Sequence, residues 1–487
     1  MKEKLENINF KYRVTTLTFI IFLIIGALCP ISGADWKSYV IGKDGLVSSI
    51  NNINILDGRI ISGFLINFFS YNKLLFDVCF AILISQFVKM CNDLMGSVKT
   101  RYLYLYPLIG VLIVSVFTFS YNYLSVTSTV TYTFPTIVLF AYFYSIIKDE
   151  ELNKVSLLKL ILYSLFICLS SVHFAIVFFI INFIYFIIND KKENRIKYFV
   201  LLIIDFLTII LSLCLLNNSL FYSDINAIKE NIPSLIQNFF SNNIVLIILG
   251  AIPINMYLYE KLKENTYVRV VITLFDLILA FSLSYNFFNY SPVNLNLIIS
   301  KYNGIFATEN WYFIFYFITY MVLFFISMNY YIKNRRVKRV FDMLIYASCL
   351  MMVFQLVSPI FDVGNTILFV FTMLFITCIL AKEANTKVFV KLVKAAIVIL
   401  LVYYASVFAV IKYIDITRKD YIKEQVANNS SVIEVKANPT YFVYRYNPVD
   451  YFQIKDFKEY YEIPSSSTIE VKYFGVFEQV EKRIKSE

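Results

Sequence analysis

Asp35-Trp36 and, further on, Asp57-Gly58-Arg59 are the residues of this 487-residue chain whose types and spacing suit chemistry. Both groups follow an apolar block that ends near Gly33. A carboxylate held beside a membrane surface can take a proton from a hydroxyl as a general base. An arginine fork pairs phosphate oxygens through two parallel hydrogen bonds. Asp35 is therefore the candidate base, with Arg59 and Asp57 as candidates for binding a phosphate-bearing substrate. Two alternatives stay open. Asp35 could simply mark where the first helix leaves the bilayer, and Arg59 could be spent on an ion pair with Asp57 or Asp44.

These residues must be positioned by helices in a membrane. The hydrophobic fraction is 59% and the charged fraction 16%, against roughly 45–50% and about 25% in soluble proteins. The apolar residues come in blocks close to the ~20 residues a helix needs to cross a bilayer. Such blocks cover 15–33, 74–92, 102–119, 132–147, 156–171, 174–189, 198–217, 243–259, 268–287, 310–331, 340–357, 365–381 and 390–413. The expected architecture is an all-α polytopic membrane protein of about thirteen transmembrane helices. The first block follows Lys2, Lys4, Lys11 and Arg13 and resembles a signal peptide, but the many later blocks favour an uncleaved first span.

Lys and Arg crowd into alternate loops, most densely at Lys333-Asn334-Arg335-Arg336-Val337-Lys338-Arg339. The bias puts the N-terminus in the cytoplasm and, with thirteen spans, the C-terminus outside. The first outside loop, 34–73, carries apolar residues at helical spacing from Leu46 to Phe69, which predicts one or two helices lying on the membrane surface. The spans and loops form one domain, 1–413. The tail, 414–487, alternates apolar and polar residues at Val432–Lys436 and Thr468–Tyr473, the period of a half-buried strand. It is expected to be a small extracytoplasmic α/β or β domain.

The net charge of +10 does not imply nucleic acid, because the basic residues anchor short loops instead of forming one patch. None of the seven cysteines forms a C-x-x-C, and there is one histidine. No disulfide, metal site or resident cofactor is expected. That histidine, His173, sits in a tight turn, where it is either a hydrogen-bonded structural residue or part of a substrate site. Asp205 and Asp276 fall inside expected spans, where an acid is either functional or paired with a hydroxyl or amide.

The order of a first span, Asp35-Trp36, Asp57-Gly58-Arg59 and a membrane-surface helix resembles the GT-C class of membrane glycosyltransferases. Closer still is the resemblance to a family of bacterial polytopic proteins allied to that class. It rests on Ala34-Asp35-Trp36, Gly58-Arg59, the stretch Tyr121-Asn122-Tyr123 to Thr131-Tyr132-Thr133-Phe134-Pro135, and Phe457-Lys458-Glu459-Tyr460-Tyr461. The resemblance implies a GT-C-like bundle in the bacterial plasma membrane. It implies a polyprenyl-phosphate sugar as donor and a cell-surface glycan or teichoic-type polymer as acceptor. Asp35 would be the catalytic residue, and Asn122, Tyr132 and His173 would join the binding residues. The chain departs from the family pattern in having Asp35 alone in place of an acidic pair. It also lacks an arginine near Ser358–Asp362, so Lys37, Arg59 or Lys301 would have to meet the phosphate. Two other functions fit a polytopic chain. A polymerase or ligase would want more basic residues near 218–242 and 288–309, and a transporter or flippase of lipid-linked sugars would want mid-membrane charges and broken helices.

Overall fold

The computed structural model describes residues 2–31, 33, 35–43, 59–98, 100–117, 124–148, 154–188, 192–214, 244–262, 266–267, 270, 311–357, 367–383, 387–436 and 454–472. They are mostly helical. The first helices are α1 (Lys2–Leu28), α2 (Asp35–Lys43), α3 (Ile60–Tyr71) and α4 (Lys73–Met95). A 3-10 turn, Arg101–Leu105, leads into α5 (Tyr106–Phe117). A helical turn Val126–Ser128 and a π-turn Thr129–Thr133 run straight into α6 (Phe134–Lys148). Then come α7 (Lys154–Ser170), α8 (Val172–Ile188), α9 (Lys192–Cys214), α10 (Ile244–Lys261), α11 (Trp311–Tyr331), α12 (Arg335–Val357), α13 (Ile367–Glu383) and α14 (Lys387–Ala427). The chain closes with β1 (Val432–Lys436), α15 (Ile454–Tyr460) and β2 (Thr468–Lys472).

Five helices are long and apolar enough to cross a bilayer: Asn9–Leu28, Lys73–Met95, Val126–Ile146, Arg195–Cys214 and Val390–Ala427. Several others are apolar but shorter, among them Val155–Ser170, Val172–Ile188 and Ile367–Ile379. Described helices overlie each expected span except 268–287, which apart from residue 270 lies outside the described residues. The outward faces are apolar as well. On α9, Phe199, Ile203, Phe206, Leu207 and Ile210 are exposed, a contiguous greasy face that water would not tolerate. The chain is a membrane protein.

In the first loop α3 covers the second half of the stretch expected to be helical, and α2 adds a helix ahead of it. The described helix starts at Asp35, earlier than the apolar spacing from Leu46 implied, and residues 44–58 are outside the described part. Asp35 occupies the first turn of α2, where a negative charge is favoured by the helix dipole. Helix α3 has a mixed inner face, with Phe69 buried beside polar side chains. It buries Ser62, Asn67 and Ser70 and exposes Phe64 and Tyr71, the pattern of a helix whose outer face meets lipid.

The main core packs α1, α4, α5, α6 and α13, with edge-on aromatic contacts such as Phe22–Phe80 at 5.8 Å and Phe87–Phe371 at 4.8 Å. Gly110 of α5 lets α13 come close: a Cβ there would stand 1.9 Å from Leu374 Cδ1. The Tyr404 hydroxyl donates to the Leu112 carbonyl at 2.6 Å and ties α14 to α5.

Beyond α14 the chain turns back as β1, which pairs with β2 in parallel, Val432 opposite Thr468 and Lys436 opposite Lys472. Parallel strands need a long crossover, and α15 lies within it. Ile433 and Val435 turn inward onto a second, smaller core with Ile422, Phe457, Ile463 and Trp36. The boundary placed at 413/414 falls inside α14, which continues unbroken to Ala427. The tail therefore shares its core with the long helix and with α2.

Candidate functional site

Asp35 is buried, with 3% of its surface exposed. Its carboxylate reaches the turn that opens the α6 run. Oδ2 accepts from the Val126 amide at 2.9 Å. Oδ1 accepts from the Thr127 amide at 3.0 Å, the Thr127 hydroxyl at 2.8 Å and the Ser125 hydroxyl at 3.0 Å. Ser125 in turn caps the Ser128 amide at 3.5 Å. The first amides of a helix have no partner within it, so Asp35 serves as an N-cap supplied from another element. Burial pushes its carboxyl above the ordinary value, and the four donors pull it back only in part.

Trp36 points the other way and is fully buried. Its indole donates to the Ile31 carbonyl at 3.1 Å, and its ring meets Phe457 of α15 edge-on at 4.9 Å. Asp35 is thereby held between the membrane bundle on one side and the tail on the other. One helical turn on, the Tyr39 hydroxyl is buried and has no hydrogen-bond partner among the described residues. Burial and the charges of Asp35 and Asp77 raise its pKa.

Asp77 lies inside the expected span 74–92, as Asp205 and Asp276 lie inside theirs, but was not among the expected site residues. Lys73 bridges to it at 2.8 Å and donates to the Gly26 carbonyl at 2.5 Å. A Cβ on Gly26 would stand 2.8 Å from Asp77 Oδ1, so glycine is what admits the pair against α1. The available signal was a Lys and an Asp one helical turn apart at the head of an apolar block.

The π-turn frees a carbonyl. Phe134 donates to the Thr129 carbonyl, five residues back, and so leaves the Val130 carbonyl without its helical donor. The Ser62 hydroxyl of α3 shares its proton between the Val130 carbonyl at 3.4 Å and the Ser170 carbonyl at 2.9 Å. These bonds gather the neighbourhoods of several expected site residues at one end of the bundle. Arg59 stands at the N-terminal boundary of α3 one turn before Ser62, Tyr132 lies buried in the π-turn, and His173 is half-buried in the first turn of α8, just past Ser170. Arg59 has no carboxylate partner among the described residues. Lys37 is exposed on α2. Asp57, Asn122 and Lys301 lie outside the described residues, as do Asp44 and Asp276.

Asp205 is placed apart from this end-cluster. It accepts from Asn182 Nδ2 at 2.7 Å and from the Ser164 hydroxyl, while Tyr142 donates to Asn182 Oδ1 at 3.0 Å. That satisfied network joins α6, α7, α8 and α9 and fits the structural alternative for this acid. No family model matches the chain, and no curated protein or solved structure matches it either.

Proposed function

We propose that the protein is a membrane glycosyltransferase. In this reading it moves a sugar from a polyprenyl-phosphate donor to a surface glycan or teichoic-type acceptor on the outer face of the bacterial plasma membrane. The reading includes about thirteen spans, a cytoplasmic N-terminus and an outer tail. The observation that carries it is the buried carboxyl of Asp35, placed at the head of α2 directly beyond the first membrane helix. A carboxyl with a raised pKa is suited to hold a proton taken from an acceptor hydroxyl. Arg59, unpaired among the described residues, is suited to the leaving phosphate. The tail that roofs α2 would form one wall for the acceptor.

The four hydrogen bonds to Asp35 favour a second reading, in which it is a clasp between α2 and the α6 run and carries no proton. Two variants separate the readings. Asp35→Asn should abolish sugar incorporation while the protein inserts normally. Thr127→Val removes one donor and keeps the carboxyl, so it should retain most activity. If Thr127→Val and Asp35→Asn lose glycan and thermal stability in parallel, the clasp reading stands and the base reading falls.

A further inference from the structure

The opposite end of the bundle carries a second arrangement. Where α1 begins, the 3-10 turn before α5 and the first turns of α14 come together. Lys394 of α14 sits 3.6 Å from the Tyr102 ring centroid, and the Arg101 guanidinium lies 5.4 Å from the same ring and 5.8 Å from that of Phe10. Nearby, Lys11 is paired with Asp93 at 3.7 Å. Arg101 and Lys394 have no carboxylate partner among the described residues. One aromatic ring holds two like charges, and its attraction does not remove their mutual repulsion.

An anion between them would. The shape of the surface says which kind. Lys394, Val398 and Val402 lie one turn apart on one face of α14, and the two valines are 59% and 61% exposed. The cationic pair therefore heads an exposed apolar stripe, with room for acyl chains below the charge. We propose that this is a binding site for an anionic phospholipid, its phosphate held between Arg101 and Lys394 and its chains laid along Val398 and Val402. Arg101 supplies a fork for two phosphate oxygens and Lys394 a point charge. The proposal is independent of the glycosyltransferase reading.

The test uses the full chain in detergent, titrated with phosphatidylglycerol, phosphatidylcholine or inorganic phosphate and read by native mass spectrometry. Phosphatidylglycerol should be retained in preference to phosphatidylcholine. The Arg101→Gln/Lys394→Gln double variant should weaken retention roughly thirty-fold, and each single variant roughly five-fold. The singles decide the matter if the double does not fold. Lys159→Gln removes an exposed cation that also sits over a tyrosine ring, Tyr163 at 5.5 Å, and should change nothing. Equal retention of phosphatidylcholine, or an equal loss in Lys159→Gln, would overturn the site. Displacement of the lipid by inorganic phosphate would make it a free-anion site and overturn the lipid.

Discussion

Val126 and Thr127 give their amides to a carboxylate that enters from some ninety residues earlier in the chain. The bond lengths are those of a good cap, and the cost is a buried charge. Because burial raises the folded pKa of Asp35, the protonated carboxyl is favoured by folding. The resulting stability is fully present below the ordinary value of 3.8 and is lost as pH rises through the higher folded value. Thermal melts of the wild type in detergent should therefore fall as pH rises above about 4, and Asp35→Asn should make that slope shallower. A wild-type slope retained in the variant would assign it to other groups. Little of this was legible beforehand. The sequence shows Asp35 near a span end, but a cap contributed across ninety residues leaves no local spacing to read. Asp77 did leave one, in Lys73-x-x-x-Asp77.

At the level of elements, hydropathy located the helices because lipid-facing and core-facing residues are both apolar, so whole blocks stand out. The strands at Val432–Lys436 and Thr468–Lys472 were legible from alternation, since Ile433 and Val435 turn inward and their neighbours outward. What alternation could not show was the parallel pairing or the partner core, which borrows Trp36 from the first loop. Close helix contacts were also invisible, being set by single glycines. Gly110→Ala should destabilise the fold by about 1–3 kcal/mol, because a methyl cannot enter a filled core without displacing Leu374. In a double-mutant cycle, Leu374→Ala should relieve part of that cost. Strictly additive melting shifts would argue against the contact.

Over the whole molecule, the tail and the membrane bundle are joined through Trp36. Arg418 of α14, itself buried, adds to the joint by donating to the Lys436 carbonyl through Nε at 2.9 Å and Nη2 at 2.5 Å. Replacing Trp36 with alanine empties the centre of the small core, and such truncations cost about 3–5 kcal/mol. The tail should then be cut by protease far faster than in the wild type, with the bundle remaining in the membrane. Unchanged cleavage would mean that the tail holds itself in place. Ile422, the underside of the Trp36 pocket, belongs to the same helix as Lys394.

That helix, α14, runs 41 residues without a break. Beyond Lys394 its exposed apolar residues extend from Val398 to Ile416, a rise of about 27 Å against a hydrocarbon core of about 30 Å. A stripe matched to its solvent layer has to lean when that layer becomes thinner. Since Ile422 of the rod packs in the pocket around Trp36, a change of lean would reach the helix that begins with Asp35. A rod anchored in this way would pass a change of bilayer thickness on to the tail. Trp36 emission should shift between bilayers of short-chain and long-chain lipids, with Trp311→Phe removing the other tryptophan. Identical spectra in both would show that the lean is absorbed before it reaches the tail.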